Sequence, residues 1–388
     1  MEKKVFVVLG DCNSIFVKQY IQFVLLSRYE IVLLQEGYLS EHYRRFYEEN
    51  GVHIEPMWYS GNAWLKRIPK LRSSLGSKLW AKHIAKKYDK IEAVHVHGLS
   101  KNRCNMGLYL NPYSDQLILT VWGSDLLRRS VKQLKDYERY YTAADTITLA
   151  TDKMVGSFKN AYGNKFDNKC HTIEFALGIL EIIDEKRGRI SREKLCEKLG
   201  MAHLEKLNVY LGHNGRACQH HIELTGAMSK LPQGIKEKIN LVYTMTYGVP
   251  PAPYLDNLKE LAANSGCEYT FIEGYRSEEE VAMIRLACDV LLHAQPTDAA
   301  SASFFECMYA GAICVNGSWL PYEHIEDYHN RVIEYDDIIQ LTGIVQNVVE
   351  NYAFYKQKFS RNIGFRNGNP TAQETAEKWY KIIDKKLI

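Results

Sequence analysis

The sequence predicts an α/β protein made of two doubly wound, parallel-sheet domains that face each other across a cleft. Three observations carry that prediction. Short apolar, β-branched runs recur along the chain and stop at glycine, histidine or small polar residues, as strands buried on both faces do. Stretches of helical spacing separate the runs, and strand–helix alternation builds βαβ units. The series breaks off near residue 179 and starts again at residue 207.

The first domain, residues 1–178, opens with Val-Phe-Val-Val-Leu at 5–9, closed by Gly10. A helical stretch at 15–27 follows, then strands at 29–34, 53–57, 93–97, 116–122 and 146–150. Residues 179–206 begin rich in charge and without a strand pattern, so they read as a connector. The second domain, residues 207–365, has strands at 207–211, 240–245, 269–272, 290–294 and 313–316. In the tail, residues 366–388, Ala376, Trp379, Tyr380 and Ile383 share a helical face that can pack back on the first domain.

A chain of 388 residues has room for two such cores. Its 46% hydrophobic and 24% charged composition excludes disorder. The net charge of +3 excludes a chain-wide polybasic nucleic-acid binder. Nine scattered cysteines with no C-x-x-C pair argue against a disulfide scaffold or a structural zinc site and fit a reducing cytoplasm. No apolar run reaches the roughly 18–20 residues that cross a bilayer, and the start shows no signal-peptide cleavage pattern. The expectation is a soluble cytoplasmic protein.

Chemistry concentrates in loops at strand ends, where ligands of such sheets bind. The run from Thr297 to Gly311 reads Thr-Asp-Ala-Ala-Ser-Ala-Ser-Phe-Phe-Glu-Cys-Met-Tyr-Ala-Gly. It follows a strand and opens a helix. Small residues let a ligand approach the backbone, and N–H groups near Ala300, Ser301 and Ala302 would meet an anion. Glu306, about a turn and a half into the helix, can accept from a vicinal diol such as ribose, and Asp298 from hydroxyls at the other end of the ligand. The plainer alternative makes Asp298 an N-cap and Glu306 a solvated helical residue.

An acid, seven residues, a second acid and a glycine five residues on resembles the donor motif of the retaining GT-B glycosyltransferases of the group 1 type. Asp298 stands where that motif has Glu, and Ser301 where glycine is common. Thr-Asp-Ala-x-Ser-x-Ser, followed by Gly-Ser-Trp-Leu-Pro-Tyr322, is similar to a branch that builds bacterial surface polysaccharides, and to the 4-acetamido-fucose transferases of enterobacterial common antigen. The resemblance implies a GT-B fold, with an acceptor domain followed by a nucleotide-sugar donor domain. The activity it implies is that of a hexosyltransferase acting on a nucleotide-diphosphate sugar.

Other loops take roles from the same resemblance. Leu-Gly212-His-Asn214-Gly-Arg216 ends a strand; Arg216 would neutralise a diphosphate with its forked donors, or is a solvated arginine beside a glycine turn. Tyr247 and Gly248 would border the nucleotide or its phosphates, or form a plain turn. His220 and His221 do not make a metal pair, since neighbours on a helix face different ways. Gly10, Asp11 and Asn13 would lie near donor phosphates and acceptor, though Asp11 or Asn13 equally suits a cap. His97-Gly98 matches a strand-end His-Gly of these enzymes, whereas His95 suits strand packing. Trp-Gly-Ser-Asp125 is similar to the same branch, and Asp125 ranks first among catalytic-side carboxylates, with a helix cap as its alternative.

A retaining transfer needs no protein nucleophile: the leaving phosphate takes the acceptor's proton while charge stabilisation and domain closure do the rest. An inverting transfer needs a base, for which Asp125, His97 or Asp11 are the candidates. No Asp-x-Asp motif occurs, so no metal or other cofactor is expected. No acidic residue falls between Glu55 and Asp89, a stretch holding Lys66, Arg67, Lys70, Arg72, Lys78 and Lys82 interleaved with Trp64, Leu71, Leu79 and Trp80. Such a stretch suits an anionic membrane surface and a lipid-linked acceptor on the inner face of the cell membrane, or an ordinary solvated helix face. Nucleic acid is a poorer partner without a base-reading module. The rival readings are a sugar-nucleotide 2-epimerase and a non-catalytic GT-B partner subunit; a nicotinamide dehydrogenase is disfavoured because no strand leads into Gly-x-Gly-x-x-Gly.

Overall fold

The computed structural model describes residues 4–56, 69–201, 205–248, 251–298, 301–320 and 322–384. The chain divides into two compact units: Met1–Ala176 with Asn369–Ile388, and Leu177–Gly368.

In the first unit seven parallel strands form one sheet: β1 (Val5–Leu9), β2 (Glu30–Gln35), β3 (His53–Pro56), β4 (Ile91–His97), β5 (Leu117–Val121), β6 (Thr146–Leu149) and β7 (Cys170–Thr172), in the order β3-β2-β1-β4-β5-β6-β7. The second unit has six parallel strands, β8 (Leu207–Leu211), β9 (Ile239–Met245), β10 (Glu268–Glu273), β11 (Val290–His293), β12 (Ile313–Gly317) and β13 (Ile333–Tyr335), in the order β10-β9-β8-β11-β12-β13. Both orders run out from a central strand, return to it and continue the other way. That is the doubly wound, Rossmann-like topology, and its switch points fall between β1 and β4 and between β8 and β11.

Residue alternation explains why the second sheet is buried on both faces. Val209, Leu211, Leu241, Tyr243, Val290, Leu292, Ile313 and Val315 enter one apolar cluster. Their neighbours Tyr210, Val242, Leu291 and Cys314 enter another. Successive side chains leave a strand on opposite sides, so continuous apolar runs are required.

The structure departs from the sequence reading at several places. Residues 179–206 do not form a bare connector: helices Ile179–Lys186 and Arg192–Lys198 bury Leu180, Ile183, Leu195 and Cys196 in the second unit's core. Their charged residues occupy the other faces and mask the periodicity. Strands β7 and β13, three residues each, were too short to show alternation. The predicted helix at 15–27 is an α-helix, Ile15–Tyr20, that widens into a π turn, Ile21–Leu25. At the tail, helix Ala372–Ile383 buries Thr375, Ala376, Trp379, Ile382 and Ile383 and joins the first unit's core. Thr371 starts it with a capping box to Glu374.

No helix among the described residues is long and apolar enough to cross a membrane. In the basic stretch, helix Pro69–Lys87 exposes Lys78 and Lys82. Trp80 and Ile84 of the same helix are buried, so those apolar residues serve the core and are not free for a lipid surface. Lys66 and Arg67 lie outside the described residues, as do the side chains of Lys70 and Arg72.

Candidate functional site

In the second unit the loops after β8, β9, β11 and β12 carry most of the residues singled out above. Gly212 leaves β8 with φ +71°, and a Cβ there would stand 2.7 Å from Gln219 Oε1. Only glycine tolerates both. The space goes to the Gln219 amide, whose oxygen accepts from the His213 N–H at 3.1 Å. Asn214 Oδ1 accepts from the Arg216 N–H at 2.9 Å, and Asn214 Nδ2 donates to the Tyr247 hydroxyl at 3.3 Å. The Gly215 N–H reaches the Tyr247 carbonyl at 2.9 Å, so the first two loops are tied together. Asn214 is therefore a brace of this loop pair, buried at its base.

Arg216 is exposed, and its side chain lies across the α-carbon of Gly248: a Cβ on Gly248 would come within 2.5 Å of Arg216 Cγ. Its guanidinium has no hydrogen-bond or ion-pair partner among the described residues. The Tyr247 ring is 47% exposed while its hydroxyl points inward to Asn214. Two buried groups beside this loop have polar atoms with no partner among the described residues, His213 Nδ1 and Gln219 Nε2. Burial, and then the neighbouring His293 ring, hold the His213 imidazole well below its usual pKa, so it is neutral.

Beyond β11 the polar side chains form a chain. His293, fully buried, meets Asn316 Oδ1 through Nδ1 at 2.8 Å and Gln295 Nε2 through Nε2 at 3.2 Å. Asn316 can only accept at that oxygen, so Nδ1 carries the proton and Nε2 accepts from Gln295. The Tyr322 hydroxyl donates to Asp298 Oδ2 at 2.7 Å and accepts from the Ser301 N–H at 3.2 Å. Asp298 is thus not the N-cap of the following helix, Ala302–Ala310. Ser301 is, accepting from the Phe304 N–H at 3.2 Å. The cap serves the third N–H of the helix, and the first two, on Ala302 and Ser303, have no acceptor within the helix. Ala300 lies outside the described residues.

Glu306 is neither solvated nor exposed. It is 8% exposed, and Oε2 accepts from Arg285 Nε at 2.9 Å. Arg285 Nη2 also donates to Ser303 Oγ at 2.8 Å. Burial works against the Arg285 charge, but Glu306 more than offsets it and holds the guanidinium pKa above its ordinary value. Sequence reasoning missed Arg285, Tyr322, Gln295 and His293. A signal existed for Arg285: it interrupts the apolar run Val281, Ala282, Met283, Ile284, Leu286 and Ala287, where a charge requires a partner.

In the first unit the β1–β4 switch point brings Gly10 beside His97; a Cβ on Gly10 would stand 2.7 Å from Val17 and 3.3 Å from His97. Asp11 is exposed and folds its carboxylate onto the Asn13 N–H at 3.0 Å. Asn13 donates to the Tyr38 carbonyl and accepts from the Ser40 N–H, both at 2.8 Å. It pins the loop after β2. Asp125 is 6% exposed, and its two oxygens accept from the main-chain N–H groups of Leu99 at 2.8 Å and Trp122 at 2.7 Å. Burial raises its pKa, and those two N–H bonds oppose the rise. Asp125 thereby fastens the loop after β4 to the loop after β5.

His95 and His97 stack with ring centres 3.9 Å apart, enclosed by Tyr20 and Trp379. His95 Nε2 meets Thr120 Oγ1 at 2.6 Å. Both nitrogens of His97, the Tyr20 hydroxyl and the Thr375 hydroxyl have no partner among the described residues, although all are buried. His97, Tyr20, Thr375 and Trp379 line a small cavity with about 20 Å³ left for water, room for one or two molecules. Burial, and to a lesser degree Arg103, drop the His97 pKa to about 3. Among the described residues no group of three or more His, Cys, Asp or Glu could hold a metal ion.

Comparison with known proteins places this fold. No family model matches the sequence, and no curated relative matches it. Among solved structures, a glycosyltransferase from Rickettsia africae matches with TM-score 0.73 at 14% identity, covering 99% of each chain. Anabaena Alr3699/HepE in complex with UDP and glucose matches with TM-score 0.73 at 12% identity, covering 98% of this chain and 100% of that one. Sucrose-phosphate synthase from Thermosynechococcus elongatus matches with TM-score 0.68 at 11% identity, covering 99% and 97%. At these identities the likeness establishes the fold. The chain has the GT-B fold, two Rossmann-like units over its full length, and the Rickettsia africae neighbour that shares it is a glycosyltransferase.

Proposed function

We propose that this protein is a glycosyltransferase that moves a sugar from a nucleoside-diphosphate sugar to an acceptor hydroxyl. One observation carries the reading. At the β8–β11 switch point, exposed Arg216, which has no partner among the described residues, the first two N–H groups of helix Ala302–Ala310, which have no acceptor within the helix, and the buried carboxylate of Glu306 come from the segments that follow the two strands. A cationic fork, a helix N-terminus and a carboxylate match a diphosphate flanked by a hydroxylated pentose. The UDP and UDP-glucose held by Anabaena HepE support a uridine nucleotide as the first to try.

The reaction would proceed with retention. The acceptor hydroxyl attacks the anomeric carbon on the face the phosphate leaves, and a phosphate oxygen takes the proton. Arg216 and the helix N–H groups stabilise the charge that develops on the diphosphate. Two of the three candidate bases for inversion are poorly suited: Asp125 spends both oxygens on main-chain N–H groups, and His97 is buried. No metal or other cofactor takes part in this proposal. The acceptor is a lipid-linked or glycan acceptor of bacterial surface-polysaccharide synthesis. The first unit binds it, and exposed Lys78 and Lys82 meet the anionic inner face of the membrane.

Titration of the full chain with UDP, GDP and dTDP, followed by melting temperature, tests the reading. At a hundred times Kd a ligand adds about 2.7 kcal/mol, a rise of several degrees for units of this size. Arg216→Ala and Glu306→Ala should each shrink the rise. A panel in which no nucleoside diphosphate raises the melting temperature would overturn the proposal.

A further inference from the structure

Arg285 is the only charged residue on the buried side of helix Glu278–Ala287, and it is 5% exposed. Its two bonds go to one neighbouring helix: Nε to Glu306 Oε2 at 2.9 Å and Nη2 to Ser303 Oγ at 2.8 Å. Ser303 is the second residue of helix Ala302–Ala310 and Glu306 the fifth. One guanidinium therefore fixes two side chains of the first turn and a half of the helix that opens the proposed phosphate site. Glu306 Oε1 accepts no bond from the described residues.

A buried ion pair is a poor way to join two helices. Two apolar residues of similar volume do so at least as well, because they avoid desolvating the charges. A pair kept here serves something that needs the carboxylate itself. A carboxylate carries acceptor lone pairs on both oxygens, which suits it to a sugar hydroxyl. The fork of Arg285 engages one oxygen and leaves the other available. Lysine has the charge but a single point of attachment, so it cannot hold Glu306 and Ser303 in the same fixed geometry.

We propose that Arg285 is a positioning residue of the donor site, acting through Glu306 and Ser303 so that Glu306 Oε1 is held fixed for a hydroxyl of the nucleoside's pentose. The proposal rests on the donor-site reading above. It assigns Arg285 to recognition of the pentose, and assigns the diphosphate to Arg216 and the helix N-terminus.

Two probes separate those roles: the nucleoside diphosphate that the wild-type chain binds best, and inorganic pyrophosphate, which has no pentose. Calorimetric titration of the full-length wild type, Arg285→Lys and Arg285→Met with both probes tests the proposal. The expected result for Arg285→Met is a loss of about tenfold or more in nucleoside-diphosphate affinity, with pyrophosphate affinity changed by less than about twofold. Arg285→Lys should fall between the wild type and Arg285→Met, and it keeps the test decisive if the methionine variant does not fold. Variants that bind both probes as the wild type does, or that lose both in equal proportion, would overturn the role of Arg285 and leave the donor site standing. A wild type that binds none of UDP, GDP and dTDP removes the donor site itself.

Discussion

The hydroxyl of Tyr322 donates to the Asp298 carboxylate at 2.7 Å. The same oxygen accepts from the Ser301 N–H at 3.2 Å, so one hydroxyl joins the acid that precedes helix Ala302–Ala310 to the residue that caps it. Tyr322 also stacks on Phe304 with ring centres 4.8 Å apart, which holds the ring in place while its hydroxyl makes both bonds.

Tyr322→Phe keeps that stacking and removes only the bridge. The Ser301 N–H then loses its acceptor in a buried setting, a change worth about 1–3 kcal/mol. Chemical denaturation should show a loss in that range. If Asp298 holds hydroxyls of the donor sugar, the variant should also weaken binding of the intact nucleotide sugar more than binding of the nucleoside diphosphate. Equal weakening of both ligands would detach Asp298 from sugar recognition.

Arg216 and Gly248 make a second dependence. The Gly248 backbone has φ +64°, and the arginine side chain rests on its α-carbon. Gly248→Ala adds a methyl at 2.5 Å from Arg216 Cγ, too close for any real contact. Arg216 has to swing away, and the left-handed backbone costs about another 1 kcal/mol. The expected outcome is a drop of about tenfold in nucleoside-diphosphate affinity with a small fall in melting temperature. Unchanged affinity in a folded Gly248→Ala protein would separate Arg216 from the phosphates.

The features legible in the sequence were those set by local pattern. Strands β1, β8, β11 and β12 showed as continuous apolar runs because both faces of each are covered. Gly212, Arg216 and Gly248 stood at strand ends, where the topology makes loops converge. Contacts made at long range in sequence stayed hidden. Arg285 and Glu306 are 21 residues apart and Tyr322 and Asp298 are 24 apart, and no periodicity links them. Asp125 and Asn13 were recognised as polar residues of strand-end loops, but the main-chain groups that occupy them, Leu99 N–H and the Tyr38 carbonyl, belong to other loops. Residues 179–206 misled because charge density outweighed a short apolar stripe of Leu180, Ile183, Leu195 and Cys196.

Asp125 poses a choice between fastening and chemistry that one isosteric change decides. Asparagine retains one acceptor oxygen and turns an N–H₂ group toward either Leu99 N–H or Trp122 N–H, which sit 2.8 Å and 2.7 Å from the two carboxylate oxygens. Losing a charge-assisted bond and opposing two donors should destabilise Asp125→Asn by about 2–4 kcal/mol. A fastening role predicts that loss in denaturant titrations. A variant as stable as the wild type but without transferase activity would return Asp125 to the catalytic group.

The stacked histidines make the first unit sensitive to acid. His97 has its pKa lowered to about 3 by burial first and Arg103 second, while an unfolded histidine titrates near 6.5. Burial, aided by His97, holds His95 well below its usual value too. Between those limits the unfolded chain binds more protons than the folded one. Stability is therefore fully present above about pH 6.5 and falls as the pH drops toward 3, by about 1.4 kcal/mol per pH unit for each such histidine. His97→Phe fills the aromatic box formed with Tyr20 and Trp379 and removes one of the titrating groups. Urea unfolding at pH 7, 6 and 5 should show a shallower loss of stability in this variant than in the wild type, with the difference growing as the pH falls. Parallel losses in the two proteins would mean that His97 takes up its proton without unfolding, through the water space that it shares with Tyr20 and Thr375.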